Sequence, residues 1–422
     1  MATPKPAAFD HTAGSTINVG VEDAFVPDAT HHVKELAFIS LLTPMGDPFD
    51  VNCIWGAPVI FWGLPSTAKS QLVRQAALEA NLPIAPLFPG QRQPEDFSGV
   101  LMPGKDGPTL ECILGAVRWI NSMARGVIFL DEMGDATPVT QGALLGFIQD
   151  RICGDTPLSP GARIISAANP PKWSTSGFTM KATTANRMCH FQVKCPPYRQ
   201  WIDRMISRNV KTLYDTVATE EIIRDKWASC FSHSLALFTG YHEYRGGITL
   251  HQEPQPDHPQ SGFCWASPRT WELSALMHAT AGCLDKSDTI KSLVVEGCVG
   301  EGCATDFFTW VRNADLPRPE EVLKHGWTPD KRRLDIAFAV LTSVTQYITN
   351  LRDKEATNEL AIGAWNLFST FIKADLGDLT VSSARTLVTK NLSRGSGAEL
   401  RKAADPVIRW MADNNILKYV DT

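Results

Sequence analysis

Val59-Ile60-Phe61-Trp62-Gly63-Leu64-Pro65-Ser66-Thr67-Ala68-Lys69-Ser70 decides how the rest of this chain is read. The apolar, partly β-branched run at its start reads as a buried strand. It breaks at Gly63 into a loop of small residues, and from Ser70 the residues Gln71, Leu72, Val73, Ala76 and Ala77 continue as a helix. Strand, small-residue loop, lysine-serine and helix is an arrangement suited to nucleotide phosphates. The loop from Gly63 through Pro65, Ser66, Thr67 and Ala68 turns backbone N–H groups around the β-phosphate. Lys69 reaches the β and γ oxygens, and the Ser70 hydroxyl takes a place on Mg²⁺. The helix that follows points its positive N-terminal end at the same phosphates. Ala68 stands where glycine is usual in this pattern. Alanine carries a Cβ, so it is expected to fit there only in an ordinary backbone conformation.

Composition bounds the rest. The chain has 422 residues, 44% hydrophobic and 20% charged, which suits a soluble globular protein of two or three domains. Its net charge of -5 gives no general basic excess for neutralising a nucleic-acid backbone. No apolar run follows the N-terminal Met1-Ala-Thr-Pro-Lys-Pro, and no stretch approaches the roughly 18 apolar residues of a membrane span. Ten cysteines occur without a C-x-x-C pair, so they read as reduced, buried thiols of a cytoplasmic protein. Residues 1–33 are small, polar and proline-containing and read as a flexible arm; 34–50 resume an apolar pattern expected beside the phosphate loop.

Downstream, Gly126-Val127-Ile128-Phe129-Leu130-Asp131-Glu132 is an apolar strand ending in two carboxylates, about 60 residues after the loop. Asp131 at the strand tip can hold a magnesium shell, and Glu132 can orient and deprotonate an attacking water. Ala162-Arg163-Ile164-Ile165-Ser166-Ala167-Ala168-Asn169-Pro170 is a further buried strand; the Asn169 amide can hold that water, or form an Asn-Pro turn. Arg187 stands just before a strand, where it can serve as an arginine finger for a neighbouring subunit or as a surface salt bridge. Ser267 is an N-cap with Pro268 in the first turn, and Arg269 can project from that turn toward bound phosphates. A strand or hairpin is expected over 100–108, a hairpin over 151–161, and helices over 112–124, 139–148, 199–239, 272–310, 332–351 (with Leu334, Ala337, Phe338, Leu341, Val344, Ile348 and Leu351 on one face), 360–373 and 398–419. In the polar loop 240–262, His242, His251 and His258 lack acidic or cysteine partners at metal-ligand spacing.

Taken together, these stretches resemble the AAA+ ATPases and, within them, the MoxR branch, over roughly residues 34–350. The loop ending Ala68-Lys69-Ser70 resembles that branch's variant Walker A loop, and Phe129-Leu130-Asp131-Glu132 is similar to Walker B. Ala168-Asn169-Pro170 resembles the sensor-1 strand end, Asn186-Arg187 the arginine-finger position, and Ser267-Pro268-Arg269 sensor 2. Pro94-Glu95-Asp96-Phe97-Ser98-Gly99 resembles the start of the helix-2 insert, and Glu296-Gly297-Cys298-Val299-Gly300 a lid-helix stretch.

The resemblance implies an α/β fold: a three-layer αβα P-loop nucleotide domain with a C-terminal helical lid. The expected divisions are an arm (1–33), the nucleotide domain (34–215), a connecting helix and polar loop (216–265), the lid (266–375) and a C-terminal helical extension (376–422). It also implies ATP and Mg²⁺ as cofactors, assembly into a ring, commonly a hexamer, and remodelling of a protein client. A separate partner with a von Willebrand factor A domain would accompany it. In that scheme Ser70 and Asp131 organise magnesium, Lys69 binds phosphates, Glu132 polarises water and Asn169 positions it. Arg187 from the neighbour and Arg269 from the lid offset charge. The alternative is a nucleic-acid motor or defence-system subunit on the same core, for which the candidate hairpins offer only Lys105, Arg151 and Arg163. A slow, scaffold-like nucleotide binder is a third reading, opposed by the presence of Glu132 and Asn169.

Overall fold

The computed structural model describes residues 26–65, 67–104, 107–174, 178–194, 216–255, 258–351, 353–393, 398–414 and 416. The start of the expected arm, Ser66, Lys105, the 199–215 part of the expected helical stretch and the Gly/Ser break at 394–397 lie outside the described residues. The described strands, in chain order, are β1 (Val59–Trp62), β2 (Ile84–Leu87), β3 (Val100–Gly104), β4 (Gly107–Glu111), β5 (Arg125–Leu130), β6 (Ile152–Cys153), β7 (Thr156–Pro157), β8 (Gly161–Ala168) and β9 (Cys189–Gln192). Five of them form one sheet in the order β2-β5-β8-β1-β9, with every pairing parallel. The pairs β3/β4 and β6/β7 are separate antiparallel hairpins, as the turn-rich stretches around them lead one to expect.

The unbroken apolar runs of β1, β5 and β8 follow from burial on both faces of a parallel sheet. Alternate residues then serve two cores. Ile60, Trp62, Ile128, Leu130 and Ile164 face Phe97, Val117, Ile120, Leu144 and Phe147 on one side. Val59, Phe61, Val127, Phe129 and Ile165 face the other, where Leu72, Val73, Ala76 and Ala77 of the helix Lys69–Glu79 close over them. The helix Val33–Leu42 packs against Lys69–Glu79, so the 34–50 stretch does sit beside the loop helix.

The second core continues into a helical region after the sheet. Helix Thr216–Tyr244 packs along Leu334–Asn350 and Pro268–Cys283, and Trp227, Phe238, Tyr241, Trp271, Phe307 and Trp365 fill the space among them and their neighbours. The junction to the sheet is close at Gly297, where a Cβ would lie 2.7 Å from the His190 carbonyl oxygen of β9. In Leu334–Asn350 the buried stripe runs through Ile336, Ala337, Val340, Leu341, Val344 and Ile348, while Leu334, expected on that stripe, is exposed. Helices Pro319–His325 and Gly377–Thr389 fall outside the stretches expected to be helical. The second buries Gly377, Thr380, Ser383 and Ala384, small residues that let the Trp410 indole approach to where a Gly377 Cβ would sit. The C-terminal helix runs Ala398–Asp413, and residues 417–419 of the expected stretch lie outside the described residues.

Candidate functional site

The registers Trp62↔Ala168 and Leu130↔Ser166 place three strand ends side by side. The loop after β1, the carboxylates after β5 and Asn169 after β8 therefore meet at the carboxyl edge of the sheet, the edge where open α/β sheets bind ligands. Lys69 is 7% exposed. Its ammonium donates to the Gly63 carbonyl at 2.7 Å, the Leu64 carbonyl at 2.9 Å and the Asn169 Oδ1 at 3.0 Å. Burial pulls its pKa from 10.5 down to about 8, against the nearby charges of Asp131 and Glu132, which raise it. The Ser70 hydroxyl donates to Asp131 Oδ1 at 3.0 Å, and that oxygen also accepts the Glu132 N–H at 3.1 Å. Asp131 is buried and Glu132 exposed, so the two carboxylates at one strand end meet different surroundings.

The backbone at this edge departs from ordinary geometry in two places. Ala68 has φ +65° and ψ 18°, the left-handed region, so the expectation of an ordinary conformation there is overturned. The loop must reverse at the start of the helix, and this peptide turns as a glycine would, at a cost of about 1–2 kcal/mol for a residue with a Cβ. Glu132, at φ +55°, is held likewise. Gly63 has no alternative: a Cβ there would lie 2.4 Å from the Val193 carbonyl oxygen. Thr67 closes the turn, its hydroxyl donating to the Leu64 carbonyl at 2.9 Å, and Pro65 is exposed at the tip.

The two arginines lie near each other. Arg187 precedes β9, whose first residue Cys189 is in register with Val59 at the amino end of β1. The four residues of β1 alone put about 13 Å between that end and the loop. Its guanidinium is held by the Thr183 carbonyl and the Gln149 side chain, and burial and the charge of Arg269 together lower its pKa. Arg269 accompanies it because the Ser267 hydroxyl, the cap of helix Pro268–Cys283, donates to Asn186 Oδ1 at 2.9 Å. Arg269 is thus grouped with Arg187. Asn186 and Ser267, with ordinary turn and cap signatures, give no sequence sign that they bind each other across 81 positions.

Between Arg187 and the loop lies His190, which the sequence did not single out. Its Nδ1 accepts the Trp62 indole N–H at 2.9 Å, and its Nε2 stands 2.8 Å from the Ala185 carbonyl. An indole nitrogen only donates, so Nδ1 is bare and the proton sits on Nε2. Burial holds this imidazole neutral, with a pKa pulled down to about 4. Beside the loop helix, a cavity of about 320 Å³ is lined by Thr30, His31, Lys34, Phe38, Leu72 and Lys286 among others. Among the described residues no group of three or more His, Cys, Asp or Glu side chains could hold a metal ion, and His242 lies in helix Thr216–Tyr244 rather than in the expected polar loop.

No known family profile matches the chain. No curated protein matches it either. Among solved structures, it is similar to a protein of Cytophaga hutchinsonii ATCC 33406 described provisionally as an ATPase. The two are 14% identical, with a TM-score of 0.41, and the match covers 65% of this chain and 82% of that one. A likeness that low says nothing of activity, and the chemistry rests on the residues themselves.

Proposed function

We propose that this chain is a magnesium-dependent ATPase of the AAA+ type that works as a ring to remodel or assemble a protein client. The observation that carries the reading is the convergence of Lys69, Ser70, Asp131, Glu132 and Asn169 at one carboxyl edge. Lys69 would exchange its carbonyl and amide partners for β and γ phosphate oxygens, with the Gly63–Ala68 turn, Pro65, Ser66 and Thr67 included, around them. The base and ribose would enter the cavity between Leu72 and Lys286.

The donor set fits magnesium. A hydroxyl and a carboxylate 3.0 Å apart are hard oxygen ligands, and Mg²⁺ takes one or two such ligands plus phosphates and waters, so no cluster of acidic residues is required. When bound, the ion neutralises charge between the phosphates. Glu132, exposed at the strand tip, would take the proton of a water held by Asn169.

Arg187 and Arg269 are proposed to act together on a nucleotide held by the adjacent subunit, a reading supported by their proximity to each other and by the position of Arg187 before the amino end of β9. This favours a closed ring, with six subunits the expected number. The lid is proposed to span 266–375, with 216–265 connecting it to a nucleotide domain over 34–215, an arm over 1–33 and an extension over 376–422. A von Willebrand factor A domain partner rests on the sequence resemblance alone. The nucleic-acid reading is weakened by burial: Arg151 is 6% and Arg163 1% exposed, so neither can meet a phosphate backbone. No helix among the described residues is long and apolar enough to cross a membrane.

Release of inorganic phosphate from ATP, with and without magnesium, tests the reading. Magnesium-dependent release that vanishes in Lys69→Met supports it. A folded wild-type chain that neither binds nor hydrolyses ATP overturns it.

A further inference from the structure

We propose that His190 is a positioning residue that couples the phosphate loop of one subunit to the two arginines it offers its neighbour. The inference rests on the proposed function and extends it to communication between sites.

The path is continuous in hydrogen bonds and chain. Lys69 is anchored on the Gly63 carbonyl, and Gly63 follows Trp62 directly. The Trp62 indole donates to His190, and His190 donates to Ala185, the residue before Asn186 and Arg187. Asn186 then accepts from Ser267, the cap of the helix that carries Arg269. Trp62 and His190 lie on one face of the sheet, because His190 is in register with Ile60, two residues before Trp62. Phe263 packs on both rings, with centroids 4.9 Å from Trp62 and 6.4 Å from His190, and excludes water from the link.

Both imidazole nitrogens are therefore committed, one to each end of the path. When phosphates replace the Gly63 and Leu64 carbonyls on Lys69, the peptide after Trp62 is released to move. A shift of the Trp62 ring must either carry His190 with it or leave a buried indole N–H without an acceptor. The second outcome is the costly one. The arginine turn thus senses the occupancy of its own chain's loop while acting on the neighbour's nucleotide. An apolar ring at 190 would fill the same space and transmit nothing.

The test compares His190→Phe with His190→Gln, whose amide can accept from Trp62 and donate to Ala185. Each is measured for ATP affinity, turnover and deuterium uptake over residues 183–188 and 265–270 with and without ATP·Mg²⁺. In the wild type, ATP is expected to protect both segments. His190→Phe is expected to bind ATP with unchanged affinity, to lose that protection, and to lose about a hundredfold in turnover at unchanged KM. His190→Gln is expected to keep both. Should His190→Phe fail to fold, Trp62→Phe combined with His190→Phe removes the orphaned donor as well and carries the same expectation. Retained protection and turnover in His190→Phe, or equal loss in His190→Gln, would overturn the coupling. If the wild type hydrolyses ATP but neither segment responds, the coupling alone falls. If it binds no ATP, the proposed function falls with it.

Discussion

The Lys69 ammonium donates to Asn169 Oδ1 at 3.0 Å, joining the start of the helix after the β1 loop to the end of β8 across 100 positions of sequence. The lysine is thereby satisfied internally, and a nucleotide bound as proposed would compete with two carbonyls and one amide for it. Asn169→Ala removes one competitor and the proposed water-holding group together. Nucleotide affinity is expected to stay within a few-fold of wild type, while turnover falls by at least about tenfold. A titration with a fluorescent ATP analogue beside a phosphate-release assay separates the two effects.

Glu132→Gln keeps the shape of the proposed base and removes its proton affinity. Turnover is expected to fall by about 10²–10⁴-fold with ATP still bound, the usual contribution of a general base. Wild-type turnover in this variant would remove Glu132 from the mechanism.

Arg187→Ala and Arg269→Ala should share one phenotype, because Asn186 and Ser267 hold the two arginines as a unit. Nucleotide binding is expected to be nearly intact and turnover to drop by about 10³-fold. Mixing either variant with Lys69→Met subunits should restore part of the activity if the arginines serve the adjacent site. Restored activity is absent if they serve their own chain.

Burial pulls the Lys69 pKa down to about 8 in the folded protein. In the unfolded chain it titrates near 10.5, so between those values the unfolded state holds a proton that the folded state has lost, and stability should rise with pH across that window. Phosphate binding demands the charged lysine. Affinity for ATP should therefore fall as pH rises above 8, and calorimetry in buffers of different ionisation enthalpy should register proton uptake on binding there.

Ala68 sits at φ +65°. Glycine would relieve about 1–2 kcal/mol of left-handed strain, against about 0.4–1 kcal/mol of extra unfolded-chain entropy. Ala68→Gly is expected to stabilise the fold by about 0.5–1 kcal/mol, and Ala68→Val to destabilise it, as thermal unfolding would show.

Much of this molecule was legible in its chain. Parallel strands buried on both faces must be apolar throughout, so β1, β5 and β8 announced themselves as runs, and the polar residues that end them stood out as Lys69-Ser70, Asp131-Glu132 and Asn169. Ser267 and Pro268 marked a helix start by chemistry local to four residues. These features depend on neighbours in sequence, which is why pattern reached them. What pattern could not reach was long-range. The left-handed turn at Ala68 is imposed by the strand and helix it joins, not by alanine. The shift of the buried stripe away from Leu334 depends on which face Thr216–Tyr244 takes. The grouping of Arg269 with Arg187 depends on hydrogen bonds that tie Asn186 to the Ser267 cap and the Trp265 carbonyl, far apart in the chain. Local composition thus determined the strands, the loop and the chemistry of the carboxyl edge, because those follow from periodicity and residue type. Only tertiary packing decided that the two arginines come together and that His190 links Trp62 to the turn before Arg187, because such contacts are set by how layers dock.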